Sequence, residues 1–153
     1  MSTPASPMSV PGFTLQGQVV RGKRLGSRLG FPTANIAYDP QSRDWPREGV
    51  YIGIAEVLGE GRCYVCILNQ GRHPTVPEGT PTVEAHLLGY PHHDLYGRRL
   101  TLRYRAFLRP EITFDSLEGL IKQLEQDRLS AVAWARQNDP QLLCGVDEAL
   151  LPH

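Results

Sequence analysis

The chain has 153 residues, 41% hydrophobic and 21% charged, and its 16 basic and 16 acidic residues leave no net charge. These values describe one folded domain, large enough to bury about two thirds of its unfolded surface without a staple. They exclude the basic footprint of a general nucleic-acid binder.

Met1 to Pro11 is small, polar and Pro-rich with no apolar centre. It is neither a signal peptide nor a spanning segment, and the expectation is a disordered tail followed by a single domain over 12–153. Leu15 to Arg21 reads as a first strand feeding a basic, glycine-rich stretch in which Gly22, Gly26 and Gly30 alternate with Arg21, Lys23, Arg24 and Arg28. Residues 1–38 hold those four cations and no acid, which favours a local polyanion such as a nucleotide triphosphate. Glycines let backbone amides approach an anion and form a concave nest for its oxygens. The stretch is neither G-x-G-x-x-G nor a P-loop, because Lys23 is not followed by Ser or Thr. Pro32 fixes its own φ and extends Phe31, so Thr33 and Asn35 leave a stiff corner two residues apart. If the backbone stays extended, both side chains share one side. A hydroxyl and an amide oxygen so placed can hold a hydrated Mg²⁺ that takes its remaining ligands from phosphate and water. The same residues also suit an ordinary surface turn.

Asp39 to Glu48, with Pro40, Trp45 and Pro46, reads as a long loop able to act as a flap. Strands follow at Val50 to Leu58 and Arg62 to Asn69, flanking a three-residue hairpin loop, Gly59-Glu60-Gly61. Thr82 to Leu88 is another strand, and Leu100 to Phe107 alternates, with Leu100, Leu102, Tyr104 and Ala106 on one face. Short strands between Gly/Pro turns, with no helical period among them, predict an antiparallel barrel or sandwich over about 15–108. One long helix, about 115–137, ends the domain. Asp115-x-x-Glu118 has the form of a capping box, and Leu117, Leu120, Ile121 and Leu124 form an apolar stripe expected to close one side of the barrel.

Cys63-x-x-Cys66 has zinc-like spacing, but it lies in a strand, where residues three apart face opposite sides. A buried structural pair is the better reading. The odd total of three cysteines points to a reducing compartment, hence the cytoplasm.

Strand alternation sets Val83, Ala85 and Leu87 on one face and Thr82, Glu84, His86 and Leu88 on the other. Phosphorylating an alcohol needs an acceptor for the hydroxyl proton, a cation on the phosphates, and donors that hold the transferring group in line. Glu84, the Thr33/Asn35 corner and the glycine-rich amides can fill those roles, with His86 as the second candidate base. A solvated glutamate on a strand is the ordinary alternative for Glu84.

Several motifs in order, Gly17-x-Val19-Val20-Arg21-Gly22, Leu29 to Asn35, Gly49-Val50-Tyr51, Val83-Glu84-Ala85-His86, Asp94-Leu95-Tyr96-Gly97 and Leu108-Arg109-Pro110-Glu111 with Phe114 to Glu118, resemble the signature of the riboflavin kinase family. Asn69 to Thr75 departs slightly from it. The resemblance implies a six-stranded, Greek-key-like barrel closed by one helix, and ATP-dependent phosphorylation of the riboflavin 5′-hydroxyl to give FMN and ADP. It implies Glu84 as base and Thr33 and Asn35 as the residues that hold Mg²⁺ or another divalent cation beside ATP. Gly22, Ser27, Leu87, Gly89 and Tyr96 match the nucleotide side, and Arg109, Ile112 and Phe114 match the flavin side, where a guanidinium and an aromatic ring can flank the isoalloxazine. The expected protein is a monomer with no nucleic-acid or membrane partner. Too few residues precede the first strand to hold the adenylyl-transferring domain that many bacterial relatives carry, so the expected product is FMN alone unless the chain is a piece of a longer enzyme. The rival expectation is a flavin or nucleotide sensor that keeps the barrel and lacks turnover.

Overall fold

The computed structural model describes residues 8–20, 33–39, 41, 44–74, 81–91 and 94–143, with side chains described from Gly12 onward and not for residues 72–74. Six strands, β1 (Met8–Val20), β2 (Thr33–Ala37), β3 (Gly49–Val57), β4 (Cys63–Pro74), β5 (Pro81–Leu87) and β6 (Arg99–Arg109), form a closed barrel in the order β1-β2-β5-β4-β3-β6. Every pairing is antiparallel. The sixth strand, absent from the reading of strand propensity, is the Thr33–Ala37 corner.

Alternation fills the barrel. Leu15, Val19, Ala34, Ile36, Tyr51, Ala55, Leu68, Val83, Ala85, Leu87, Leu100, Leu102 and Tyr104 point inward and are buried together. Closure needs tight strand crossings, and Gly53 supplies one: a Cβ there would lie 2.5 Å from the Arg103 carbonyl oxygen and 2.8 Å from Leu68 Cδ1. The helix α1 (Leu117–Asn138) and a 3₁₀ turn at Pro140–Leu143 cover part of the outer surface. Ala131, Val132, Ala135 and Leu142 pack there on Val50, Ile52, Val65, Ile67, Leu88 and Ala106.

Several expectations change. Met8 to Pro11 join β1, with Met8 opposite Phe107 and Ser9 opposite Ala106. The tail therefore ends earlier than its composition suggests, because the long β6 offers an edge to pair with. The β3–β4 connection is residues 58–62, with Gly59 (φ 90°) and Gly61 (φ 67°) in left-handed backbone. In β6 a register shift between Ile52/Ala106 and Gly53/Tyr104 breaks the alternation. Ala106 thus joins the helix-covered face while Phe107 packs against the barrel core, the re-aiming a β-bulge produces.

The helix differs as well. Ser116, not Asp115, is the N-cap, and its hydroxyl accepts from Gly119 N at 3.1 Å. The buried stripe is Asp127, Arg128, Ala131, Val132 and Ala135, whereas Leu117 is 58% exposed and Leu120, Ile121 and Leu124 are half-buried. The second half of α1 therefore seals the barrel wall and the first half does not. Of the supposed flap, residues 44–48 lie against one barrel end. Trp45 packs on Phe13 and Tyr38, Gln70 Nε2 donates to Pro46 O at 2.7 Å, and Tyr51 Oη donates to Arg47 O at 2.5 Å. Cys66 lies in the barrel interior and Cys63 against the helix-covered cluster, so the two thiols face opposite sides of β4.

Candidate active site

Two neighbouring strands bring the proposed catalytic residues together. β2 and β5 pair in the register Thr33↔His86, Ala34↔Ala85, Asn35↔Glu84, Ile36↔Val83 and Ala37↔Thr82. Ala34, Ile36, Val83 and Ala85 fill the interior, so Thr33, Asn35, Thr82, Glu84 and His86 share the outer face. Asn35 and Glu84 stand directly opposite, which puts their Cβ atoms about 4.5–5.5 Å apart. The glutamate found in mid-chain and the corner found almost fifty residues earlier are thus cross-strand neighbours.

The row continues around the wall. Glu84 is paired with Asn69 on β4, Asn69 with Val50 on β3, and Val50 with Arg109 on β6. Glu84 and Arg109 are three interstrand spacings apart, about 14 Å along the sheet. Asn35 is 3% exposed and Thr82 Oγ1 reaches its Oδ1 at 3.5 Å. Thr33 and Glu84 are half-buried. Burial pushes the Glu84 carboxyl above the usual carboxylate range, because a low-dielectric surrounding disfavours the charged form. Such a carboxylate takes up a proton more readily than a solvated one does. His86, 7% exposed, is driven the other way: burial, helped by the Arg128 guanidinium of α1, lowers its imidazole from 6.5 to about 3. Burial favours its neutral form and makes it a weaker proton acceptor than Glu84, whose carboxyl burial pushes up.

Arg109 is not a loose arm. Its Nε donates to Asp127 Oδ1 at 2.9 Å and its Nη2 to Asp127 Oδ2 at 2.7 Å, while Gln123 Nε2 donates to Oδ1 at 3.0 Å. The bidentate fork fixes the guanidinium plane. Phe114 is half-buried where the chain enters α1, and Ile112 is 48% exposed. The Glu111 carboxylate sits where a Cβ of Gly71 would be, so the segment after β6 lies against the end of β4.

The remaining expected residues divide. Gly89 (φ 80°) follows β5, and Tyr96, 49% exposed, lies beside Gly97, whose N–H donates to Val19 O at 3.1 Å near the end of β1. Both border the rim from which the glycine-rich stretch leaves. Leu87 is fully buried inside the barrel, so its side chain does not reach a nucleotide and only its backbone can. Gly22 and Ser27 lie outside the described residues. Sequence reading missed Asp127 and Arg128. Their signal was a charged pair interrupting the apolar period that runs from Leu124 to Ala131 and Ala135.

A model of the family described as riboflavin kinase (flavokinase) matches residues 11–135. The chain belongs to the riboflavin kinase family. It is 40% identical over 120 residues to the bifunctional riboflavin kinase/FMN adenylyltransferase of Escherichia coli K12, which covers 78% of this chain and 37% of that protein. It is 39% identical over 120 residues to an RNA-binding riboflavin kinase of Bacillus subtilis, covering 78% of this chain and 49% of that protein. Among solved structures, riboflavin kinase of Trypanosoma brucei superposes with a TM-score of 0.57 at 26% identity, covering 88% of this chain and 85% of that one. The six-stranded barrel with its C-terminal helix is therefore the fold of the family, while the chain spans about 37% of the length of the bifunctional relative. No described helix is long and apolar enough to cross a membrane.

Proposed function

We propose that the protein transfers the γ-phosphoryl group of ATP to the 5′-hydroxyl of riboflavin, releasing FMN and ADP. The observation that carries this reading is the cross-strand pairing of Asn35 with Glu84 on the outer barrel face. It sets a desolvated carboxylate beside two neutral oxygen donors. Glu84 accepts the hydroxyl proton as the 5′-oxygen bonds to the γ-phosphorus and the bond to the β–γ bridging oxygen breaks, with the electron pair leaving on ADP.

Thr33 and Asn35 fit a divalent cation of the hydrated kind. They are oxygen donors on one face of β2, and they are uncharged, as suits Mg²⁺ whose anionic ligands come from substrate phosphates. Bound there, Mg²⁺ would neutralise charge on the β- and γ-phosphate oxygens. Gly22, Ser27, Gly89 and Tyr96 form the nucleotide side, with the Leu87 contribution through its backbone. Arg109, Ile112 and Phe114 form the flavin side, the Asp127 fork presenting the guanidinium face to the ring.

Riboflavin and ATP are the partners this geometry supports. The zero net charge supports a small-molecule enzyme without a nucleic-acid partner, and the proposed working unit is the monomer. Free thiols at Cys63 and Cys66 support a cytoplasmic setting. Incubating the protein with riboflavin, ATP and Mg²⁺ and separating the flavins by chromatography tests the reaction: FMN accumulates in step with ADP. Tight flavin binding without FMN would instead mark a sensor.

A further inference from the structure

We propose that Asn69 reads the ribityl chain of the flavin and thereby sets substrate specificity. The inference rests on the riboflavin reading above and deepens it. Glu84, Asn69, Val50 and Arg109 occupy one transverse row of the outer barrel wall. With the reacting hydroxyl at Glu84 and the ring at Arg109, the polyhydroxylated chain between them has to run over the two strands that lie between, β4 and β3. At that crossing the surface offers two side chains. Val50 is 1% exposed beneath the helix-covered cluster, whereas Asn69 is exposed. Its amide is one interstrand spacing, about 4.8 Å, from the base.

The chemistry matches. A ribityl hydroxyl is both donor and acceptor, and a carboxamide supplies a complementary pair, the oxygen accepting and the NH₂ donating. A carboxylate at that position would repel Glu84 directly opposite, and a lysine could not accept. A neutral amide is the side chain that can pair with hydroxyls while leaving the base undisturbed. Selectivity arises because a flavin without those hydroxyls forgoes the hydrogen bonds that this amide offers and leaves it to water.

The test uses the full chain and two ligands, riboflavin and lumiflavin, which has the same ring with a methyl group in place of the ribityl chain. Flavin fluorescence quenching gives both affinities for the unmodified protein and for Asn69→Ala and Asn69→Ser. The expected result is riboflavin binding weakened about 10-fold by Asn69→Ala, the scale of one lost hydrogen bond, and partly recovered by Asn69→Ser. Lumiflavin affinity stays unchanged in both variants, and riboflavin KM rises in parallel with kcat held within about 3-fold. Equal weakening of both ligands, or no weakening of either, overturns the assignment. Because the comparison is read from binding, it stands apart from the phosphotransfer reading. A protein that binds riboflavin and makes no FMN refutes the kinase reaction, while the riboflavin-to-lumiflavin ratio still decides Asn69.

Discussion

Replacing His86 by glutamine should change how the protein tolerates acid while leaving its chemistry intact. In the unfolded chain the imidazole titrates near 6.5, and in the fold at about 3. Between those values the unfolded state binds a proton that the folded state refuses, so His86 costs nothing above pH 6.5 and progressively more as pH falls. At pH 5 the gap from 6.5 is about 1.5 units, or about 2 kcal/mol at 1.36 kcal/mol per unit. By pH 3 it approaches roughly 5 kcal/mol, comparable with the whole stability of a small domain. The residue is almost fully enclosed among β2, β4 and Arg128 of α1, so solvent screening does not erase the effect. Urea denaturation of both proteins at pH 7.5 and pH 5 measures it. The unmodified chain should lose about 2 kcal/mol more than His86→Gln over that interval, while kcat of the variant at pH 7.5 stays within about 3-fold. Equal losses would refute the buried neutral imidazole, and a collapse of kcat would return His86 to the role of base.

Three further outcomes follow from the same geometry. Glu84→Gln should cut kcat on the order of 10²-fold or more with riboflavin binding retained. It should also raise Tm at neutral pH and above, because a carboxyl held above its ordinary range costs stability that accrues from the ordinary carboxylate range upward and is complete once pH passes its folded value; unchanged turnover in a riboflavin kinase assay would shift the base to solvent. Asn35→Ala should raise the Mg²⁺ concentration required for half-maximal rate by about 10-fold or more, read by metal titration at fixed ATP, since one of two protein oxygens is lost. Asp127→Asn should destabilise the fold by roughly 2 kcal/mol in denaturant titration, because the half-buried Arg109 keeps its charge and loses the carboxylate of its fork. It should also raise riboflavin KM more than it lowers kcat.

Local chemistry was legible in the chain alone. Period-two alternation identified the inward set Val83, Ala85 and Leu87 and hence the outward set with Glu84, because a strand has only two faces. The glycine and proline turns excluded a βαβ sheet, and the Thr33-x-Asn35 corner was visible as two oxygens on one side of an extended segment. The ordered motifs identified the family. Helix position was less legible: Leu117 began the best apolar stripe in the sequence, yet it is exposed and the seal forms about two to three turns beyond Leu124, around Ala131 and Ala135.

What remained undecided was everything that depends on which strand lies beside which. Alternation says which side a residue faces and nothing about its neighbour across the sheet. Only closure in the order β1-β2-β5-β4-β3-β6 sets Asn35 against Glu84, places Asn69 between Glu84 and Arg109, and lets α1 deliver Asp127 to one and Arg128 towards His86. The same closure decides protonation. Glu84 and His86 are two residues apart on one strand, and the packing of other elements around them pushes the carboxyl up and the imidazole down, since the penalty on a buried charge depends on what surrounds it in three dimensions.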